Sequence, residues 1–447
     1  MEYIEQLGAN AKAAEPMVSA MGTREKNAAL EAISAALRSH VTEIIGANQQ
    51  DIDAARKNGM SESLIDRLTL TESRINGMAE GVDKVISLPD PVGEVIGGGD
   101  LPNGLHVIKK RVPIGTIGII FESRPNVTVD AAALCFKAGN TVILRGGSDA
   151  INSNKALVGL MRKALRESGC NENAVQLVED TSRDVANAMM KLNRYIDLLI
   201  PRGGGGLIRA VVQNATVPVI QTGEGNCHVY VDESADIPMA VEIINNAKTQ
   251  RPSVCNAIEG ILVHEKAAPK LFRQLAEKWQ GKVAVRGDEA TSKLIEVEKI
   301  ADETDYATEF LDYRLSAKIV KNIDEAIEHI SRFGTKHSEC IVTQSLRNAE
   351  LFQQRVDAAA VYVNASTRFT DGFEFGLGAE IGISTQKLHA RGPMGLEALT
   401  TYKYLINGNG QIRGCGSNRK GNYGKEKKHP CTEKYRAEKS AGAESAA

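Results

Sequence analysis

The sequence lacks several features that mark whole classes of protein. It contains no run of about 18 uninterrupted apolar residues, so we expect no helix that spans a membrane. The first residues lack a basic segment followed by an apolar core, so we expect no signal peptide. Neither sign of charge is in excess, because 54 lysines and arginines face 56 aspartates and glutamates. This balance gives no electrostatic reason to expect nucleic acid or an anionic membrane as a partner.

Cysteine pairs are also missing. The seven cysteines are widely spaced and odd in number, and no two of them form a CxxC motif. A disulfide framework and a cysteine-rich zinc site both depend on such pairing. We therefore predict free thiols in a reducing cytoplasm and no metal centre.

What the sequence does contain is a long alternation of short apolar runs with helical patterns. The first ~85 residues have helical spacing, and a glycine run at 97–100 with a turn at 102–104 predicts a hairpin. Strand and helix patterns then alternate from Pro113 onward, and a second alternating unit begins near Asp232. Such alternation favours parallel sheets covered by helices on both faces. We predict an α/β protein with two α/β domains.

A glycine loop follows the strand predicted at 195–200. The chain there reads PRGGGG at 201–206 and then enters a helix. Glycines between a strand and a helix let backbone N–H groups approach a phosphate, which the helix dipole also favours. The stretch is not the G-x-G-x-x-G fingerprint, and a flexible turn is the alternative, but we favour phosphate contact.

A second small-residue turn follows the strand predicted at 141–145. Arg145 ends this strand and Ser148 lies in the turn. An arginine and a serine there could hold a ribose 2′-phosphate, whereas an acidic residue would bind a free 2′-hydroxyl. The alternative is a surface arginine beside a helix cap.

Cys255 is the strongest candidate for a nucleophile. Pro252 and Ser253 break the preceding helix, so the thiol is expected to project at a junction between a helix and a buried strand. Lys248 and Arg251 lie close enough in sequence to stabilise a thiolate, although most free cysteines are buried and inert.

Cys255 has no histidine close to it in the sequence. A thiol hydrolase would need one from elsewhere, and His228 and His389 are the candidates. This alternative leaves both phosphate-binding turns without a purpose, so we keep it second.

Several segments together resemble the aldehyde dehydrogenase superfamily. Within it they are similar to the branch whose members reduce gamma-glutamyl phosphate. The resemblance covers about residues 1–412, in family order. The segments are VPIGTIGIIFESRPNVTVD (112–130), VILRGGSDA (142–150), LIPRGGGG (199–206), TGEGNCHVYVDESAD (222–236), NAKTQRPSVCN (246–256) and KLHARGPMGLEALTTYKY (387–404).

This resemblance implies a role for each candidate residue. Cys255 matches the catalytic nucleophile, and Asn126 matches the asparagine of the oxyanion hole, although an ungapped comparison brings Arg124 closer. The expected cofactor is NADP(H), because a serine replaces the acidic residue at the adenosine ribose. The matched cofactor-binding residues are Arg145, Ser148, Gly203, Gly204 and Glu309.

The resemblance also implies a reaction and its partners. We expect NADPH-dependent reduction of gamma-glutamyl phosphate (L-glutamate 5-phosphate) to L-glutamate 5-semialdehyde and phosphate, the second step of proline biosynthesis, in the cytoplasm. Lys248, Arg251 and Arg124 are the candidates for binding the substrate. The family implies a homo-oligomer, either a dimer or a tetramer, and glutamate 5-kinase is a possible partner.

One residue that differs from the family pattern affects whether water can hydrolyse the thioester. Hydrolytic members carry a glutamate base at the position of Gln221, and an amide cannot take a proton from water. The thioester on Cys255 should then resist hydrolysis, unless Glu224 replaces the missing base.

The family resemblance also divides the chain into domains. Residues 1–95 and 113–230, with a return near 376–395, should form a Rossmann-type cofactor-binding domain. Residues 231–375 should form the catalytic domain with Cys255. Residues 96–112 and 396–412 should form a hairpin and strand for oligomerisation. Residues 413–447 are expected to be a disordered basic tail.

Overall fold

A computed structural model describes residues 2–122 and 124–413, and two parallel sheets organise most of this chain. The α-helices of the described chain are α1 (Glu2–Ala20), α2 (Thr23–Ser39), α3 (Val41–Lys57), α4 (Glu62–Leu68), α5 (Glu72–Ser87), α6 (Pro125–Lys137), α7 (Ile151–Glu167), α8 (Arg183–Met189), α9 (Gly205–Asn214), α10 (Ile237–Thr249), α11 (Ala268–Trp279), α12 (Glu303–Tyr306), α13 (Ile323–Phe333) and α14 (Leu346–Arg355). Its strands are β1 (Val95–Asp100), β2 (His106–Pro113), β3 (Thr116–Phe121), β4 (Thr141–Arg145), β5 (Val175–Leu177), β6 (Leu198–Arg202), β7 (Cys227–Val231), β8 (Ile258–His264), β9 (Ala284–Gly287), β10 (Lys299–Ile300), β11 (Arg314–Val320), β12 (Ser338–Val342), β13 (Ala360–Val363), β14 (Ile383–Ser384), β15 (Gly392–Pro393) and β16 (Thr400–Asn407).

The first sheet has the strand order β5-β4-β3-β6 and is parallel throughout. Successive side chains of a strand point to opposite faces, so an unbroken apolar strand needs cover on both. In β3, Ile119 and Phe121 join a core with α2, α5, α6 and α7, whereas Ile120 joins a core with α1 and α8. Two cores therefore form from one run of apolar residues, as the sequence pattern predicts.

The strand order creates a crevice at the carboxyl edge of this sheet. The chain goes from β3 to β4 and β5 on one side and then returns to β6 on the other side of β3. Parallel sheets bind ligands where the order reverses in this way. The glycine loop follows β6 at this crevice, and Arg145 ends β4 on the same edge.

The second sheet has the strand order β10-β9-β11-β8-β7-β12-β13 and is also parallel throughout. β7 pairs with β8 and β12, so residues 227–230 lie in the second sheet, whereas the last pairing of the first sheet is an isolated bridge between Leu199 and Val219. The sequence of β7 fits either sheet, and only the pairing decides between them.

The chain later returns to the first sheet, in the region where the sequence predicts a return near 376–395. Ile381 and Met394 lie in the same core as β3 and β4, and β14 pairs with β15 next to them. A bridge between Thr222 and Ser384 connects this region with the segment between the two sheets.

A separate small unit contains residues 95–110 and the described residues from 403 onward. Its strands β1 and β2 form an antiparallel hairpin, and β16 completes a three-stranded sheet. Gly98 has φ 139°, and a Cβ there would lie 2.2 Å from the carbonyl oxygen of Val107, so the hairpin requires glycine at this position. The predicted tail begins at residue 413, and from residue 414 onward it lies outside the part of the chain that the structure describes.

None of the helices in the described part of the chain is long and apolar enough to cross a membrane.

Candidate active site

Cys255 lies in a turn between α10 and β8, at the amino edge of the second sheet. Its thiol is half-buried, and burial raises its pKa to about 11. The positive charge of Arg202 opposes this shift, whereas the carboxylates of Glu309 and Glu380 add to it. Cys255 therefore rests as a thiol at neutral pH, with one cation and two carboxylates near it.

The segment before β7 crosses directly over the backbone of Cys255. A Cβ on Gly225 would lie 1.6 Å from the carbonyl oxygen of Cys255, so no larger residue fits there. The thiol of the neighbouring Cys227 donates to that same oxygen at 3.2 Å. These contacts hold the Cys255 backbone in one position.

Two half-buried carboxylates have fixed positions in the cleft. Glu309 accepts a hydrogen bond from the backbone N–H of Gly225 at 2.7 Å, and Glu380 accepts one from Gly372 at 3.0 Å. Burial raises the pKa of both carboxyls. The family resemblance assigns Glu309 to the nicotinamide ribose. Glu309 bonds to Gly225, which in turn contacts the backbone of Cys255.

Four arginines influence one another electrostatically on this side of the Cys255 loop: Arg124, Arg202, Arg251 and Arg368, hereafter the arginine cluster. Arg202 and Arg368 interact electrostatically with Cys255 itself. Arg251 repels both Arg124 and Arg368, and Arg202 also repels Arg124. Within residues 2–122 and 124–413, none of the four forms an ion pair with a carboxylate. A ligand with several negative charges would neutralise this cluster.

The glycine loop at the crevice already holds an anionic group. The backbone N–H of Gly204 donates to the carboxylate of Glu122 at 3.0 Å, and a Cβ on Gly203 would collide with this carboxyl group. Gly206, in the first turn of α9, has open space where a Cβ would lie. The loop can therefore receive an anion such as a pyrophosphate, which would compete with Glu122.

Arg145 has capacity to bind a further ligand. One terminal nitrogen donates to the carbonyl of Thr181 at 2.7 Å, and burial lowers the pKa of the guanidinium. Its Nε is buried and, among the described residues, has no hydrogen-bond partner. Ser148 is exposed nearby on the same edge of the sheet.

Lys248 does not reach the cleft. It is fully buried, and its ammonium contacts Glu259 at 2.6 Å and the carbonyl of Ile258 at 2.9 Å. Its predicted contact with the substrate is therefore wrong, because the scaffold occupies its charge.

Asn126 and Arg124 differ in how they relate to the cleft. The amide of Asn126 donates to Asp130 at 3.1 Å, one turn later in α6. Arg124 precedes this helix and belongs to the arginine cluster. These contacts link Arg124 to the arginines near Cys255, whereas the amide of Asn126 is bonded within its own helix.

Glu224 and the two histidines predicted as bases, His228 and His389, have other partners. Glu224 is paired with Arg209 at 2.8 Å, over the start of α9. His228 is fully buried against Glu339, and His389 contacts the carbonyl of Ala398. No histidine in the described chain is hydrogen-bonded to the Cys255 thiol. The predicted alternative of a thiol hydrolase therefore lacks its base.

The sequence analysis missed four residues of this site: Glu122, Arg202, Arg368 and Glu380. A usable signal existed for Glu122 and Arg202, which directly follow or end neighbouring parallel strands at their carboxyl edge. No comparable signal marks Arg368 or Glu380, because both come from segments more than 100 residues away from Cys255.

We expect the reactivity of Cys255 to follow its charged neighbours. Its alkylation by iodoacetamide in the cofactor-free protein should rise with pH up to about 11. Arg202→Gln removes the opposing positive charge, so alkylation at pH 8 should slow by up to about 10-fold. Glu309→Gln should have the opposite effect. Mass spectrometry of the Cys255 peptide measures both rates, and equal rates in the two variants would contradict this assignment.

Comparisons with known proteins agree with this geometry. A family model described as the aldehyde dehydrogenase family matches residues 1–294. The chain is 58% identical over 415 residues to a gamma-glutamyl phosphate reductase of Carboxydothermus hydrogenoformans, covering 93% of this chain and all of that protein. It is 56% identical over 411 residues to a gamma-glutamyl phosphate reductase of Moorella thermoacetica, covering 92% and 98%.

Solved structures give the same result. The crystal structure of gamma-glutamyl phosphate reductase from Thermotoga maritima matches with a TM-score of 0.90 and 51% identity, over 92% of this chain and all of that one. An acetylating aldehyde dehydrogenase from Geobacillus thermoglucosidasius matches with a TM-score of 0.68 and 18% identity, over 93% and 98%. The second match shows the shared fold alone, and the predicted α/β fold class is confirmed.

Proposed function

This chain belongs to the aldehyde dehydrogenase family and, within it, to the gamma-glutamyl phosphate reductases, and we propose that it reduces gamma-glutamyl phosphate to glutamate 5-semialdehyde through a thioester on Cys255. The proposed cofactor is NADPH. The fold and the relatives support the use of a nicotinamide cofactor, and the preference for NADPH rests on Arg145 and Ser148.

The arginine cluster is the observation that supports this substrate. Gamma-glutamyl phosphate carries a phosphoryl group at the reacting end and a carboxylate at the other end. Guanidinium groups bind phosphate and carboxylate through paired N–H donors. Within residues 2–122 and 124–413 none of these arginines forms an ion pair with a carboxylate, so their N–H donors can bind such a ligand.

The proposed chemistry begins with the Cys255 sulfur attacking the acyl carbon. The S–C bond forms as the C–O bond to phosphate breaks, and the thiol proton leaves with the phosphate as hydrogen phosphate. The developing oxyanion is held by the backbone N–H of Cys255, together with Asn126 or Arg124. A nicotinamide, when bound, supplies the hydride that reduces the thioester. The Cys255 thiolate then leaves as the aldehyde carbonyl forms.

Whether the thioester reacts with water or with phosphate depends on the presence of a base beside it. Gln221 stands where hydrolytic relatives carry a base, and Glu224 is held by Arg209 over α9. Water near the thioester therefore has no obvious base at either position. Phosphate needs no such base, and we expect it to be the acceptor in the reverse direction.

The residues of the crevice fit a dinucleotide phosphate. Gly203 and Gly204 would contact the pyrophosphate, because they approach an anionic group closely. The terminal nitrogens of Arg145 and the exposed Ser148 hydroxyl would bind the 2′-phosphate. Glu309 would bind the nicotinamide ribose.

We expect Arg145→Gln to weaken NADPH binding more than NADH binding. The loss of one charge-assisted contact should raise the Kd for NADPH by roughly 10- to 100-fold, with little change for NADH, which lacks the 2′-phosphate. Quenching of intrinsic fluorescence measures both constants without turnover. Arg166→Gln, an exposed residue on α7, is the matched control. Equal losses for the two nucleotides would contradict this role.

The reverse reaction tests the function as a whole. The enzyme should sustain NADP reduction with glutamate 5-semialdehyde over many turnovers only when phosphate or arsenate is present. Steady NADP reduction with semialdehyde and water alone would argue for a hydrolytic enzyme instead. Absence of any reduction with phosphate would overturn the proposed function.

We also propose that β1, β2 and β16 join subunits in a homo-oligomer. Val95 and Ile406, both on strands of this small sheet, are 61% and 59% exposed in the single chain, which is unusual for apolar side chains. A contact with glutamate 5-kinase stays a prediction of the family resemblance.

A further inference from the structure

Residues 366–370 form a short segment that is fastened to the Cys255 loop. The hydroxyl of Thr367 donates to the carbonyl of Asn256 at 2.7 Å. The amide of Asn256 donates back to the carbonyl of Thr370 at 2.9 Å and to that of Arg368 at 3.3 Å. Asn256 directly follows Cys255, so these bonds fix the position of Arg368 relative to the nucleophile.

The guanidinium of Arg368 is oriented by a neutral partner. Its Nε donates to the side-chain carbonyl of Gln250 at 2.7 Å. An amide fixes the orientation without adding a negative charge, and Asp371 attracts the guanidinium without forming an ion pair with it. The four N–H bonds of the two terminal nitrogens have no carboxylate partner within residues 2–122 and 124–413. These bonds have the geometry that a phosphate or a carboxylate accepts.

Arg251 brings a second positive charge to the same place. It follows Gln250 directly and precedes Cys255 by four residues. Burial and then repulsion from Arg251 lower the pKa of Arg368, whereas Asp371 and Cys255 act in the opposite direction. The guanidinium groups of Arg251 and Arg368 repel each other, and an anion bound between them would offset this repulsion.

We propose that Arg251 and Arg368 form the site for the phosphoryl group, and hence for the phosphate that leaves Cys255. The proposal rests on the function proposed above and assigns its reacting end. Both arginines flank the loop of the nucleophile, so an anion held by them lies next to the acyl carbon. Their charge stabilises hydrogen phosphate as the C–O bond breaks. Arg124 is then the arginine that remains to bind the carboxylate at the far end of the substrate.

The reverse reaction separates these two anions, because phosphate and semialdehyde are then different molecules. Arg368→Gln should raise the KM for phosphate by roughly 10- to 100-fold, as expected when charge-assisted hydrogen bonds are lost. The KM for semialdehyde should change by less than about twofold. Arg368→Lys should recover part of the loss, since it restores charge but not the paired donors. Arg347→Gln, an exposed arginine on α14, should change neither constant.

A single-turnover measurement without phosphate tests whether Arg368→Gln still forms the thioester. Without phosphate, the wild-type enzyme and Arg368→Gln should each release a burst of NADPH close to one per Cys255, since thioester formation precedes phosphate attack. A rise in the KM for semialdehyde alone would make Arg368 the carboxylate site and overturn the proposal, as would unchanged constants. A missing burst in Arg368→Gln would also overturn it. A missing burst in the wild type would instead refute the proposed function.

Discussion

Cys255→Ala is expected to lower kcat/KM for gamma-glutamyl phosphate by on the order of 10⁴-fold or more, as removal of a covalent nucleophile does in other enzymes. The two other described cysteines in strands of the second sheet cannot replace it. Cys227 is fully buried and its thiol is directed at the Cys255 carbonyl, while burial raises the pKa of Cys340 to about 12. NADPH oxidation with freshly generated acyl phosphate measures the loss.

Two controls make the loss of activity specific to the nucleophile. Cys340→Ala removes a buried thiol from β12 of the same sheet and should keep the wild-type rate. NADPH binding to Cys255→Ala should be unchanged, because the thiol is not part of the glycine loop. Activity above about one-tenth of wild type in Cys255→Ala would rule out the thioester.

Gly225→Ala is expected to reduce activity by about 100-fold or more, since a displacement of about 1 Å at a reacting group costs that much. A Cβ at this position would lie 1.6 Å from the carbonyl oxygen of Cys255 and 2.5 Å from its Cα. Neither atom is at the end of a flexible side chain. The Cys255 loop or the segment before β7 must therefore move, and the Glu309 contact to the Gly225 N–H moves with it.

The effect should be local to the site. Thermal unfolding of Gly225→Ala should remain cooperative, while alkylation of Cys255 changes its rate. Gly159→Ala is the matched control, because a Cβ on this exposed position of α7 meets nothing within 4 Å. Wild-type activity in Gly225→Ala would show that the loop tolerates displacement, and the position of Cys255 would then not depend on this glycine.

Local pattern was sufficient for the elements that carry the chemistry. The break at Pro252 and Ser253 predicts the turn that holds Cys255, because a proline after the body of a helix disfavours its continuation. The glycine run after β6 predicts a loop at a carboxyl strand edge, since parallel strands bring such loops together. The family segments also predict the fold class and the reductase group, which the comparisons confirm.

Two cases show where local pattern fails. β7 is buried throughout, but its sequence does not say which sheet it joins, and its pairing with β8 and β12 was not foreseen. Lys248 lies near Cys255 in the sequence, but α10 directs its ammonium to Glu259 in β8. Proximity along the chain did not imply proximity to the cleft.

The sequence by itself determined that this protein has a thiol in a helix-to-strand turn, a glycine loop and two parallel sheets, because each depends on residues within one segment. Only the tertiary structure decided that Arg202 and Arg368 interact with Cys255 at the amino edge of the second sheet. These arginines come from segments far from Cys255 in the sequence, and electrostatic attraction depends on distance in space. The charge around the nucleophile is therefore a property of the fold.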